Sequence, residues 1–273
     1  MNAAEQIERL PFWPSPPSLR RVAAGRTNEN YIASCAGRTF FARVGRDIPE
    51  HGILRRQEAC AARFAADLAI APKVYFADDG LMIVEYIAGR PLTPGMAAKP
   101  ECLVRLATLL RRLHQASPPS GLAPFDPLGV CRRYLNLLDV SVLGDAGRSQ
   151  IQTLLDQAPP LVSTALIHAD PMPENFIEAG ERLWLVDWEY AGLGDPATDL
   201  AMVAMNCDLD TSATAALVEA HGLCSHHSVL RLRPVVGARE ALWCLLQLQI
   251  RGPEGDLADY SVRCLARIGL TRP

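Results

Sequence analysis

Residues 165–187 read ALIHADPMPENFIEAGERLWLVD, and this segment carries the clearest structural signal in the chain. Apolar residues at 165–167 lead into a polar loop, and two further apolar segments flank a turn near Glu181. This order predicts a strand, a loop and then a hairpin. If the hairpin folds about Glu181, Asn175 and Asp187 lie opposite each other at its open end.

The polar side chains of this stretch suit one kind of chemistry. The amide oxygen of Asn175 and the carboxylate of Asp187 would converge on one point, and Mg²⁺ prefers a few protein oxygens together with phosphates and water. Asp170, five residues before Asn175, can face the same ion and accept the proton of a hydroxyl nucleophile. The stretch therefore predicts phosphoryl transfer with Asp170 as the base.

The spacing of these residues strengthens the prediction. Alone, each of the three is more often a turn residue or a helix cap. Together they form the pattern H-x-D-x-x-x-x-N, with an aspartate twelve residues later at a strand end, which is typical of kinase-fold phosphotransferases. His168 begins the pattern and is the second catalytic candidate, which we expect to orient the loop by hydrogen bonding.

Outward from this stretch, the chain divides into two regions. Residues 19–86 carry mainly strand and turn signals, with a helix predicted at Leu54–Leu68 whose arginines lie outside. We predict an N-lobe at residues 1–88 and a C-lobe at 89–273, with a hinge at 88–91. Most of the C-lobe is predicted to be helical, including Cys102–His114, Pro196–Cys207, Leu230–Ile250 and Asp256–Ile268.

Composition limits the partners. The chain has 273 residues, of which 49% are apolar, so it can bury a core. A net charge of −3 gives no broad field for nucleic acid or a membrane surface, so we expect a small-molecule partner. Without a signal peptide or an apolar run of eighteen residues, the expected location is the cytoplasm. The eight cysteines include no C-x-x-C pair and are expected to be reduced.

The chain resembles the choline/ethanolamine kinases, within the wider aminoglycoside-phosphotransferase-like group, from Val22 to Ile268. The resemblance implies a bilobal α+β fold of the protein-kinase type, with a small antiparallel sheet and one helix in the N-lobe and ATP between the lobes. The segments that carry it are GRTNENY (25–31), FARV (41–44), Glu58, APKV (71–74), HADPMPEN (168–175) and DWEYAG (187–192).

The same resemblance implies where ATP binds. The loop at residues 25–30 would cover the phosphates with Thr27 and Asn28. Arg43 stands where protein kinases have a lysine, and it is expected to contact the phosphates and to pair with Glu58. Backbone groups of Glu85, Tyr86 and Ile87 would bind adenine. A Walker A motif is absent, which excludes the P-loop kinases.

Substrate residues also follow from the resemblance. A quaternary ammonium group needs aromatic faces and nearby carboxylates. Tyr190, Trp243 and Tyr260 match positions of the choline pocket, and Glu189 would add negative charge. Trp243 also fits a core position. Glu240 stands where eukaryotic choline kinases carry a second tryptophan, and it would serve a primary ammonium or a thiazolium equally well.

We therefore expect an ATP- and Mg²⁺-dependent kinase that phosphorylates the hydroxyl of a small cationic alcohol, with choline or ethanolamine leading. Thiamine kinase and an aminoglycoside-type phosphotransferase are the alternatives within the enzyme class. A third alternative is a non-catalytic module that binds nucleotide. The intact set of Asp170, Asn175 and Asp187 argues against it. A metal-dependent hydrolase is disfavoured, because histidine and carboxylate residues are not clustered as its two metals need.

Overall fold

The computed structural model describes residues 2–22, 28–78, 80–253 and 255–271. Its first region is a five-stranded antiparallel sheet with the strand order β1-β2-β3-β5-β4. Arg43 lies near the end of the central strand, between Asn30 and Met82 of the neighbouring strands. The strands are β1 (Ser18–Val22), β2 (Glu29–Cys35), β3 (Arg38–Val44), β4 (Val74–Asp78) and β5 (Leu81–Glu85).

A short N-terminal helix that sequence reasoning missed, α1 (Ala3–Glu8), packs on this sheet. Asn2 caps it, since its side chain accepts a hydrogen bond from the backbone N–H of Glu5 at 2.9 Å. Ile7 is fully buried, and the Trp13 ring packs edge-on against Phe40, 5.4 Å from its centre. The sheet thus has its own small hydrophobic core.

The predicted helix of the first region is confirmed as α2 (Arg55–Asp67). Its buried alanines, Ala61, Ala62 and Ala65, belong to the larger hydrophobic cluster of the helical region and not to the cluster on the sheet. A backbone hydrogen bond of 2.9 Å from Leu185 to Ile70 also ties the residues after α2 to that region. The division at residues 88 and 89 stays a prediction.

Helices make up most of the remaining chain. The four predicted helices are confirmed, but α9 starts four residues earlier than expected because Ser225 caps it, accepting a 3.0 Å hydrogen bond from the N–H of Ser228. Among the described residues, no helix combines the length and the apolar character needed to span a membrane. The helices are α3 (Pro94–Ala97), α4 (Pro100–Gln115), α5 (Pro127–Leu137), α6 (Val140–Asp156), α7 (Pro196–Asn206), α8 (Thr211–His221), α9 (His226–Arg251) and α10 (Leu257–Arg267).

Two small sheets contain the strands of residues 165–187. One has three strands in the order β6-β8-β9, and the other pairs β7 with β10. Their strands are β6 (Arg90–Pro91), β7 (Ala165–Ile167), β8 (Phe176–Ala179), β9 (Arg182–Leu185) and β10 (Gly192–Gly194).

The predicted register of the β8–β9 hairpin is wrong by one residue. Phe176 pairs with Leu185, so the turn is centred between Gly180 and Glu181. Asn175 therefore lies opposite Val186, whose N–H donates to its carbonyl oxygen at 2.9 Å. Asp187 comes one residue later with a φ of 69°, a left-handed conformation that is uncommon for a residue other than glycine. Because of this conformation, the Asp187 side chain does not continue the alternation of side chains between the two faces of β9.

Candidate active site

A cleft of about 770 Å³ lies between the five-stranded sheet and the helical region. Most of the predicted site residues line it. Thr27 lies outside the described residues, and His168 and Glu58 are buried without lining the cleft. The predicted residues that line it are Asn28, Arg43, Glu85, Ile87, Asp170, Asn175, Asp187, Glu189, Tyr190, Glu240, Trp243 and Tyr260.

The loop that carries Asp170 is held by a residue that sequence reasoning missed. Asp199, at the first turn of α7, is fully buried and accepts hydrogen bonds from the backbone N–H groups of His168 and Ala169, both at 2.8 Å. Ala169 has a φ of 63°, so the chain bends sharply just before Asp170. Asp199 thus fixes the loop conformation that brings Asp170 to the cleft wall.

His168 is fully buried, and its Nε2–H donates to the backbone carbonyl of Val186 at 2.9 Å. Its ring packs edge-on against Trp188, with 4.7 Å between ring centres. Burial lowers the pKa of the imidazole. Because the ring does not reach the cleft, its position suits orientation of the loop and not proton transfer to a substrate.

Asn175 and Asp187 both reach the cleft from the open end of the β8–β9 hairpin. The amide nitrogen of Asn175 donates to the backbone carbonyl of Asp170 at 2.9 Å, which leaves the amide oxygen as the group available to a cation. The side chain of Asp187 is 40% exposed. An amide oxygen and an accessible carboxylate are the donors that Mg²⁺ prefers, so these two residues fit the predicted ion.

Arg43 connects the sheet to this hairpin. Its Nη1 lies 2.5 Å from Oδ1 of Asp187, and its other terminal nitrogen pairs with the buried carboxylate of Glu58. The predicted pairing of Arg43 with Glu58 is thus present, and Glu58 lies behind Arg43 and not on the cleft wall. Glu58 would therefore influence a bound ligand by holding the Arg43 side chain in position.

Arg55 was expected to lie outside, and the structure contradicts this. Only 8% of Arg55 is exposed, and its Nη1 lies 2.7 Å from Glu58 and 3.1 Å from Glu189. Asn28 donates to the same oxygen of Glu189 at 3.0 Å. Arg55 therefore pairs with Glu189, which still lines the cleft, and the role of Glu189 towards the substrate stays a prediction. Sequence spacing gave no signal for these contacts, since 134 residues separate the pair.

Arg239, on α9, is a second missed residue of the cleft. Only 3% of it is exposed, its Nη1 lies 3.4 Å from Oδ1 of Asp170, and its Cζ lies 4.6 Å from the centre of the Tyr190 ring. Arg263 lies over the Tyr260 ring at 5.5 Å. Two of the three predicted aromatic side chains, Tyr190 and Tyr260, thus each have a guanidinium group over the ring, and their role towards a quaternary ammonium stays a prediction.

Two carboxylates remain on the substrate side. Burial raises the pKa of Asp170 to about 8, with Arg239 opposing this shift and Glu240, Asp187 and Glu189 adding to it. Glu240 accepts a 2.8 Å hydrogen bond from the Tyr260 hydroxyl. Within the described chain, no cationic side chain lies within ion-pair distance of Glu240, so its charge is available to a bound molecule.

Comparisons with known proteins agree with this geometry. The sequence model described as the phosphotransferase enzyme family matches residues 18–233. The LicA protein of Haemophilus influenzae is 26% identical over 208 residues, which cover 72% of this chain and 60% of LicA. Thiamine kinase of Salmonella typhi is 30% identical over 158 residues, which cover 58% of this chain and 54% of that enzyme. The chain thus aligns with little more than half the length of these two relatives.

Solved structures are similar over nearly the whole chain. A choline/ethanolamine kinase family protein from Mesorhizobium loti has a TM-score of 0.77 and 27% identity, and the match covers 98% of this chain and 92% of that one. The choline kinase LicA from Streptococcus pneumoniae has a TM-score of 0.76 and 22% identity, covering 92% and 93%. ADP-bound aminoglycoside phosphotransferase APH(2'')-Ib has a TM-score of 0.61 and 17% identity, covering 92% of each. The predicted protein-kinase-like fold is confirmed.

Proposed function

Because the chain belongs to the phosphotransferase enzyme family, we propose that it is an ATP-dependent kinase that phosphorylates the hydroxyl group of a small cationic amino alcohol. The observation that carries this proposal is the convergence of Asp170, Asn175 and Asp187 on one cleft beside Arg43. A base, two oxygen donors for a metal and a phosphate-binding cation are the parts that phosphoryl transfer to an alcohol requires.

The sheet side of the cleft suits a nucleotide. Met82, Val84 and Ile177 supply an apolar wall for a flat base. Of the predicted adenine contacts, the N–H of Glu85 already donates to the carbonyl of Lys73 at 2.8 Å, so the backbone of Ile87 is the better donor. Among the structural neighbours, one LicA structure contains AMP and one aminoglycoside phosphotransferase contains ADP, which supports nucleotide binding in this cleft.

The roles of the polar residues follow from their positions. Arg43 would bind phosphate oxygens, since its guanidinium stays charged and presents several donors. Asn175 and Asp187 would hold Mg²⁺, which when bound neutralises charge on the phosphates. Asp170 would orient the acceptor hydroxyl and take its proton, and Arg239, whose Nη1 lies 3.4 Å from Oδ1, would hold this carboxylate in place. Most of the rate would come from positioning and charge neutralisation.

The charges of the acceptor side favour a primary ammonium over a quaternary one. Glu240 is the carboxylate without a cationic partner, and it can accept a hydrogen bond from an ammonium group. A quaternary ammonium cannot donate such a bond and depends on aromatic faces, two of which already carry Arg239 and Arg263. Ethanolamine therefore suits the cleft better than choline.

Thiamine is the second candidate. The Salmonella relatives named thiamine kinase support it, and the acceptor side offers both Glu240 and the indole ring of Trp243 to a cationic thiazolium. The same residues thus recognise either cation, and product analysis is needed to separate the two substrates.

The test is a panel assay with purified protein, ATP and Mg²⁺ against ethanolamine, choline, thiamine and kanamycin, with phosphorylated products identified by mass spectrometry. We expect kcat/KM to be highest for ethanolamine, with thiamine as the competing result. Phosphorylation of kanamycin alone would show that the proposed substrate class is wrong. ATP binding by calorimetry without any phosphorylated alcohol from a broad panel would identify a non-catalytic module instead.

A further inference from the structure

Behind Glu240, two buried thiols complete a group of three metal-binding side chains. Glu240 and Cys244 are one helical turn apart on α9, and Cys264 faces them from α10. One ligand atom from each side chain lies within 4.8 Å of the other two. Cys244 and Cys264 are 0% and 1% exposed, and no disulfide joins them. Cysteine spacing alone gave no sign of the group, because its members come from two helices.

The distances are close to those of a thiolate-bound metal. The Sγ atoms of Cys244 and Cys264 lie 4.0 Å apart. Two thiolates on one tetrahedral Zn²⁺, each with a bond of about 2.3 Å, are separated by roughly 3.8 Å. The carboxylate of Glu240 needs only a small side-chain rotation to complete a third bond, because its ligand oxygen already lies within 4.8 Å of both sulfur atoms.

Access to these three residues is from the cleft. Glu240 and its hydrogen-bond partner Tyr260 line the cleft, whereas the two buried thiols do not. A cation that enters from the cleft therefore meets Glu240 before the thiols. Three protein ligands would leave one tetrahedral position for water.

We propose that Glu240, Cys244 and Cys264 form a binding site for a thiophilic divalent cation such as Zn²⁺, and that its occupancy blocks the acceptor side of the cleft. Thiolate ligands select Zn²⁺ over Mg²⁺, whereas Asn175 and Asp187 offer only oxygen and select Mg²⁺. The cleft would thus have two cation sites, one that prefers Zn²⁺ and one that prefers Mg²⁺. The inhibitory ion takes the carboxylate that would bind the ammonium group of the substrate.

Binding is tested first, without any turnover. The full-length protein, free of metal and kept reduced with a phosphine, is titrated with Cd²⁺, whose bonds to thiolates absorb in the ultraviolet. We expect saturation at one equivalent and displacement of Cd²⁺ by Zn²⁺ but not by Mg²⁺. Cys244→Ala and Cys264→Ala should each weaken binding about tenfold or more and reduce the absorption band, as expected for loss of a direct ligand.

Two further variants complete the binding test. Glu240→Gln should weaken Cd²⁺ binding while leaving the thiolate band at saturation, and because its side chain reaches the cleft it does not disturb the buried core. Cys60→Ala removes a thiol from α2 and should bind like the original chain. An unchanged titration in both Cys244→Ala and Cys264→Ala, or an equal loss in Cys60→Ala, overturns the proposal.

The inhibitory effect is measured separately. Zn²⁺ at low concentration should raise the KM for the alcohol and leave the KM for ATP unchanged, and Cys264→Ala should abolish this effect. Metal binding without any effect on the KM for the alcohol overturns the inhibitory part. Because the Cd²⁺ titration needs no substrate, absence of kinase activity would count against the proposed function alone.

Discussion

Arg43 and Asp187 form an ion pair, with 2.5 Å between Nη1 and Oδ1, that joins the central strand of the sheet to the end of the β8–β9 hairpin. Arg43 also pairs with Glu58, so the conformation of Asp187 depends on α2 through two charged contacts. The arginine proposed to bind phosphate thus pairs with the carboxylate proposed to hold Mg²⁺. On the proposed function, Arg43 would contact both Asp187 and the phosphates of a bound nucleotide.

Replacement of Arg43 tests this relationship. Arg43→Met should weaken ATP binding by about 10- to 100-fold, since a hydrogen bond to a charged group contributes about 1.5–3 kcal/mol. Arg43→Lys should recover part of the loss, because lysine keeps the charge but not the planar donor geometry. Calorimetry with a non-hydrolysable ATP analogue gives the affinities. Arg38→Met, at the exposed start of the same strand, is the control, and equal affinities in all four proteins would contradict the assignment.

Replacement of Asp170 should impair the chemical step, whereas replacement of Asp187 should impair nucleotide binding. Asp170→Ala should lower kcat by about 10²- to 10⁴-fold, the range expected for loss of a general base, while ATP affinity stays close to its original value. Asp187→Ala should instead weaken binding of ATP in the presence of Mg²⁺ and have little effect in its absence. Steady-state kinetics and calorimetry separate the two effects. Full activity of Asp170→Ala would remove the proposed mechanism.

Gly45 packs tightly against Arg55 and against Asn28, which lines the cleft. A Cβ atom at Gly45 would lie 2.2 Å from Oδ1 of Asn28 and 2.9 Å from Cζ of Arg55, so both side chains must move. Gly45→Ala should therefore reduce stability by about 1–3 kcal/mol and weaken ATP binding. Gly95→Ala is the matched control, because a Cβ there meets no atom within 4 Å. Equal stability and affinity of the two variants, measured by urea unfolding and calorimetry, would contradict this packing.

Acid should destabilise the protein before most carboxylates titrate. Burial lowers the pKa values of His51 and His221 to about 4, against about 6.5 for an unfolded histidine. Between these two pKa values the unfolded chain binds more protons than the folded one. The free energy of unfolding therefore has its full value above pH of about 6.5 and falls as the pH decreases towards 4. Tm measured across this range should decrease, with a smaller slope in His51→Gln. A constant Tm down to pH of about 5 would refute this expectation.

Glu240 should control the choice of substrate. Glu240→Gln should raise the KM for ethanolamine about tenfold or more, because a neutral amide loses the charge-assisted hydrogen bond to the ammonium group. The KM for ATP should stay the same, since Glu240 lies on α9, away from the sheet side of the cleft. Initial-rate kinetics with each substrate varied in turn provide the measurement. A KM for ethanolamine that does not change would remove Glu240 from recognition.

The sequence was informative where a motif and its local structure coincide. The loop and hairpin at 165–187 were recognisable because their chemistry and their strand pattern lie in one short segment. The exact register of the hairpin could not be recognised, because the left-handed conformation of Asp187 depends on its surroundings and not on residue type. The signal for Asp199 was similarly weak, since a buried aspartate that accepts backbone hydrogen bonds looks like an ordinary residue in the first turn of a helix.

Ion pairs between distant segments were the main feature that the sequence did not predict. Arg55 and Arg239 lie on helices whose patterns place arginine at the surface, yet both are buried because carboxylates from distant segments meet them. Such contacts appear only when the sheet and the helical region are brought together. The same kind of pairing joins Arg55 to Glu189, a carboxylate whose charge was expected to serve the substrate.

The separation of the two hydrophobic cores has a mechanical consequence. In the described part of the chain, the buried apolar residues of the sheet, such as Ile7 and Phe40, form one cluster, and those of α2 belong to another. The sheet meets the second cluster through half-buried side chains, Val74 and Met82, and through the ion pairs of Arg43 with Glu58 and Asp187. A shift of the sheet relative to α2 would therefore break these few contacts, and neither buried cluster would have to open.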